Sequence, residues 1–156
     1  MTNIAYTPSK LYDTDKISNM NVYKSKIGLL AGTSYAEVIA AVRHEYHVIQ
    51  KRTPRRQPHI KSKYFRKDKI FINQYFEHLS QKNSADRLRR LKFFSSAIDV
   101  IRNCPIAPVA MQNPNKTDET LYRYNATTKE GASFAVQIRE NKISKRKDFM
   151  SAFPTK

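Results

Sequence analysis

The stretch ETLYRYNATTKEGASFAVQIRENKISKRKDFMSAFP, Glu119 to Pro154, constrains the fold more than any other part of the chain. Its apolar and polar residues alternate with the period of a strand whose two faces meet different surroundings. In LYRYNATT, Leu121, Arg123 and Asn125 share one face, and Tyr122 and Tyr124 share the other. In SFAVQIRE, Phe134, Val136 and Ile138 face a core while Ala135, Gln137 and Arg139 face away. Lys129, Glu130 and Gly131 form the turn between these strands. NKISKRKD is too charged for a buried strand and reads as a long basic hairpin loop, after which FMSAFP returns as a short third strand. Ser151 joins the polar face only if Phe149 and Phe153 also point there, and the apolar residues of that strand leave its register open. The expected fold is α+β: N-terminal helices packed on one face of a C-terminal antiparallel sheet.

Helices occupy the middle of the chain. GTSYAEVIAAVRHEYHVIQ opens with Ser34 and Glu37 at the spacing of a capping box, followed by Val38, Val42 and Ile49 near one face. KIFINQYFEHLSQK carries Ile70, Phe71, Tyr75, His78 and Leu79 at helical spacing. ADRLRRLKFFSSAIDVIRN, capped by Asn83 or Ser84, makes a stripe of Leu88, Leu91, Phe94, Ile98 and Ile101, with Arg87, Arg89, Arg90 and Lys92 facing mostly away. The following APVAMQNPNKTDET is predicted to be a loop. Residues 1 to about 31 are polar, with scattered Tyr6, Tyr12 and Tyr23, and read as an arm.

Charge narrows the partners. Among 156 residues, 29 Lys and Arg face 13 acidic residues, a formal net charge of +16, which points to a polyanion and first of all to nucleic acid. The segment Lys51–Lys69 holds nine Lys or Arg against Asp68 alone, and its two prolines forbid a continuous helix. With Tyr64 and Phe65 it suits tracking a phosphate backbone and stacking on bases. It also divides the chain: residues 1–68 as arm, helix and basic segment, and residues 69–156 as the helix-and-sheet core. An acidic inhibitor or host protein is the other class of partner that such charge admits.

Several classes are excluded. Cys104 is the single cysteine, so neither a disulfide framework nor a thiolate zinc site forms, and its place before Pro105 suits a small buried residue. His44 and His47, three apart on one helix, lack further ligands for a metal. No GxxxxGK or GxGxxG loop is present, so a nucleotide-driven enzyme is not indicated and no cofactor is expected. No apolar run approaches a membrane span and the N-terminus lacks a signal-peptide core, so no membrane partner and a cytoplasmic location are expected.

The order of helices followed by an antiparallel sheet, with FEHLSQK, SAIDVIRNCP, LYRY, FAVQI and FMSAFP between Lys69 and Pro154, resembles the small ribonuclease superfamily of barnase, EndoU, colicin nuclease domains and RelE. It is most similar to the phage and mobile-element branch of that group. The resemblance implies a toxin or effector that cleaves RNA without metal, using basic and polar residues spread over the sheet face and a helix. Such cleavage, to a 2′,3′-cyclic phosphate, needs a base at the 2′-hydroxyl, an acid at the leaving oxygen and cations for the added charge. On this reading the catalytic residues are His78 as acid or base, Arg123 clamping the phosphate, and Gln137 and Ser151 orienting oxygens, with the general base left unassigned. The nucleic-acid contacts are Arg52, Arg55, Arg56, Lys61, Lys63, Arg66, Arg139, Lys145, Arg146 and Lys147. The alternative is a non-catalytic basic protein that binds nucleic acid or modulates a host complex.

Overall fold

A computed structural model of the chain describes residues 22–53, 55 and 57–155. The arm residues Tyr6 and Tyr12, and Pro54 and Arg56 of the basic segment, lie outside the described residues. The elements run β1 (Val22–Lys24), α1 (Tyr35–Arg52), β2 (His59–Lys61), β3 (Lys69–Phe71), α2 (Gln74–Ser80), α3 (Ser84–Leu91), α4 (Phe94–Asn103), β4 (Val109–Gln112), β5 (Glu119–Thr127), β6 (Ser133–Asn141) and β7 (Lys147–Pro154). The fold is α+β.

Local chemistry accounts for the ends of the helices. At the start of α1 the Glu37 amide donates to Ser34 Oγ at 3.2 Å while the Ser34 amide donates to Glu37 Oε1 at 3.2 Å, so the capping box forms as its spacing predicts. Asn83 caps α3 by accepting from the Asp86 amide at 2.9 Å. The long helix expected over residues 85–103 is instead two, α3 and α4, because Leu91, Phe93 and Phe94 are all buried and no single straight helix could turn all three inward. The break lets Phe93 stack on Phe134 at 5.1 Å while Phe94 packs beside Tyr75 at 5.2 Å.

The meander β5–β6–β7 lies where the alternation placed it, but the sheet is larger and mixed. Seven strands run in the order β1-β5-β6-β7-β3-β2, with β4 also paired to β5. β1 is parallel to β5 and β3 is parallel to β7, so the all-antiparallel expectation fails at two pairings. The cause is that segments read as arm, linker and helix start supply strands. Ile70 and Phe71, expected to begin a helix, instead pair with Lys147 and Asp148, and the helix starts only at Gln74. Val109–Gln112 in the expected loop forms β4.

The boundary drawn after residue 68 falls inside the β2–β3 hairpin, where His59, Ile60 and Lys61 pair with Phe71, Ile70 and Lys69. Val38, Val42 and Ile49 of α1 and Ile60 of β2 belong to the same buried cluster as Tyr75, Phe94, Ile98, Phe134, Val136, Ile138 and Phe149. Tyr75 stacks on Phe149 at 4.7 Å and joins α2 to the sheet. The helices do not all stay on one face. β7 pairs with β3 only at Lys147 and Asp148, and α2 and α3 lie against β7, from where α3 sends a side chain to the opposite face.

Candidate nucleic-acid interface

Arg123, Gln137 and Ser151 sit directly opposite one another on β5, β6 and β7, so the three form one row across the face turned away from the core. A bulge in β7 settles the register that the apolar pattern left open. Ile138 pairs with Phe149 while its neighbour Gln137 pairs with Ser151, leaving Met150 as the extra residue. Phe149 therefore enters the core and Ser151 joins the polar face, although the two are separated by only one residue.

The row has companions that the sequence reading missed. Arg90 of α3 donates from Nη1 to Ser151 Oγ at 2.7 Å, and its Nε is held by Asp86 at 3.0 Å. Phe153 lies between two guanidiniums, with Arg90 at 5.2 Å and Arg123 at 5.5 Å from its ring centre. The pattern ADRLRR shows only that Arg90 faces mostly away from the apolar stripe, not that a sheet edge passes beside it. His78, half-buried on α2, lies within electrostatic reach of this group. Burial lowers its pKa, and the charges of Lys82, Arg90 and Arg139 lower it further, so its imidazole is neutral near pH 7.

A second row runs beside the first: Leu121, Arg139, Asp148, Phe71 and His59 are successive partners across β5, β6, β7, β3 and β2. Arg139 approaches Glu119 at 3.9 Å and Asp148 at 3.6 Å. Arg146 donates to Asp148 at 3.1 Å, lies over the Phe71 ring at 4.0 Å, and reaches Gln57 and Asn73, both at 3.3 Å. These two expected phosphate contacts are thus partly neutralised within the protein. His59 escaped notice inside the basic segment. Its Nδ1 lies 3.0 Å from the Gln57 carbonyl, and since a carbonyl only accepts, Nδ1 carries the proton and Nε2 is the ring's other polar edge.

Lys147, expected among the nucleic-acid contacts, is instead on the opposite side of the sheet. Its buried ammonium donates to Asp68 at 2.7 Å and pairs with Glu140 at 3.2 Å, with the Phe65 ring 5.0 Å away. Burial pulls its pKa down, but the two carboxylates outweigh that and hold it above the ordinary lysine value.

Sequence-distant cations meet at one end of the sheet. The pairings of Glu119 with Asn141, Glu140 with Lys147, Lys147 with Ile70, and Ile70 with Ile60 bring the β4–β5, β6–β7 and β2–β3 turns to that end. Lys61, Lys63 and Arg66 are exposed on or beside one turn, Lys142 and Lys145 on the second, and Lys116 on the third. Arg66, Lys67 and Lys145 have φ values of 56°, 70° and 67°, a left-handed conformation that favours glycine. Arg52 and Arg55, also exposed, precede β2 and so lie beyond its other end.

No family of known proteins, no curated protein and no solved structure matches the chain. Among the described residues no group of three or more His, Cys, Asp or Glu is placed to hold a metal ion, and no helix is long and apolar enough to cross a membrane.

Proposed function

We propose that this chain binds RNA along the basic end of its sheet and cleaves it, without a metal, on the adjoining face. The observation that carries the reading is the convergence of cationic turns from distant parts of the sequence beside the row Arg123, Gln137 and Ser151. Three cations on these turns occupy left-handed positions where glycine would be cheaper, which suits a surface whose charge is needed.

The chemistry follows from the side chains. Arg123 faces the scissile phosphate and offsets the charge that grows on it. Ser151 Oγ already accepts from Arg90, so its own hydrogen can be given to a phosphate oxygen. Neutral His78 takes the proton of the 2′-hydroxyl, the 2′-oxygen bonds to phosphorus, and the 5′-oxygen departs with a proton from water. Binding without cleavage is the second reading. It is favoured by Arg139 and Arg146, whose charges are already shared with Asp148 and Glu119.

Incubation with a defined RNA in excess EDTA separates the two. The expected products end in 2′,3′-cyclic phosphate, and His78→Ala abolishes them. Because the His78 pKa is lowered, the basic form is retained as pH falls below the ordinary 6.5, so the acid limb of the rate profile lies below that value. Intact RNA that shifts on a gel selects the second reading.

A further inference from the structure

Ile143, at the tip of the β6–β7 turn, is 82% exposed, more than any other large apolar side chain among the described residues. The turn that carries it is well tied down. Asn141 Oδ1 accepts from the amides of Ile143 at 2.9 Å and Ser144 at 3.0 Å, and the Asn141 carbonyl accepts from the Lys145 amide at 2.8 Å. The Lys142 amide donates to the Asp118 carbonyl at 2.8 Å, anchoring the turn to its neighbour. Lys142 Nζ reaches the neutral side-chain amide of Gln112, so its charge is not cancelled there. Lys145 follows two residues on, and Lys116 lies on the adjacent turn.

An isolated, held-out apolar side chain among cations suits a partner that is anionic outside and apolar within. A stacked nucleic acid has that construction: phosphates meet the lysines, and the spaces between bases accept an aliphatic group. A protein partner would call for a wider apolar patch, and a lipid surface for an apolar helix face, and this turn offers neither.

We propose that Ile143 is an unstacking wedge, which enters a base step of bound RNA while Lys142 and Lys145 hold the flanking phosphates. This rests on the RNA-binding reading above and adds to it a means of splaying a nucleotide. Unstacking would free the sugar to bring its 2′-oxygen in line with the leaving oxygen, a geometry that a stacked A-form strand resists.

The test uses the full chain and an RNA hairpin bearing 2-aminopurine, whose emission rises when it unstacks, with affinity followed in parallel by anisotropy. Wild type raises the emission by about twofold or more, Ile143→Leu preserves the rise, and Ile143→Ala loses it with an unchanged melting temperature. Affinity changes by less than about tenfold in Ile143→Ala, because the lost apolar contact and the avoided unstacking partly cancel. Binding by wild type with no rise in emission at any labelled step, or a full rise in Ile143→Ala, overturns the wedge and leaves RNA binding standing. Failure of wild type to bind the RNA at all overturns both.

Discussion

Ser151 is where helix and sheet meet on the polar face, since its hydroxyl accepts from Arg90 while its strand holds it opposite Gln137. Arg123 and Tyr122 are neighbours on β5 with opposite duties, and this allows a sharp comparison. Arg123 lies on the polar face against Phe153, whereas Tyr122 packs edge-on against Phe65 at 4.9 Å and donates to Glu140 at 2.8 Å. Arg123→Ala is expected to lower cleavage by about 100-fold, the scale of losing one preorganised donor, with little change in thermal stability. Tyr122→Ala is expected to cost about 2–3 kcal/mol in urea unfolding, for the lost packing and the lost hydrogen bond to Glu140, while sparing the chemistry of the protein that remains folded. Equal loss of activity per folded molecule in both variants would remove the distinction. At this scale the alternation of β5 and β6 made the partition of faces legible, because those strands are regular. Lys147 and Arg90 were not legible: one lies on the inward face between its cross-strand partner Glu140 and the sequence-distant Asp68, the other is used by a sheet edge that no local pattern reveals.

Among elements, the bulge in β7 has the clearest consequence. Removing Met150 would leave Phe149 opposite Ile138 and Ser151 opposite Gln137 in an uninterrupted ladder, so both faces keep their residues. The deletion is therefore expected to fold, with stability within about 1 kcal/mol of wild type, but to lose the local bend that aims Ser151 at Arg90. RNA cleavage and the melting curve, measured together, check this; collapse of the fold would mean that the bulge is needed for packing. Short elements were the hardest to foresee. β1, β2 and β3 are three residues each, too short to declare a period, and β3 lies in a run whose apolar spacing fits a helix equally well. Strand pairing with β7 decided the matter, as tertiary contacts commonly do over weak local preference.

On the scale of the whole molecule the net charge of +16 is distributed by topology, with exposed lysines from three turns at one end of the sheet. RNA affinity is expected to fall linearly on a log–log plot against salt, and neutralising Lys63, Arg66, Lys142 and Lys145 together should reduce the slope by about 3 if each meets a phosphate. A slope unchanged in that variant would place the RNA elsewhere. The sheet's borders have a different meaning. β1 and β4 divide one side of β5 between them, β3 covers the start of β7, and α2 and α3 lie along the rest. Each of the three long strands thus has its backbone amides and carbonyls shielded, and the strands left outermost are only three or four residues long. Such brief borders give a second copy little to zip onto, so the protein should resist edge-to-edge aggregation even where bound polyanion cancels the repulsion between its copies.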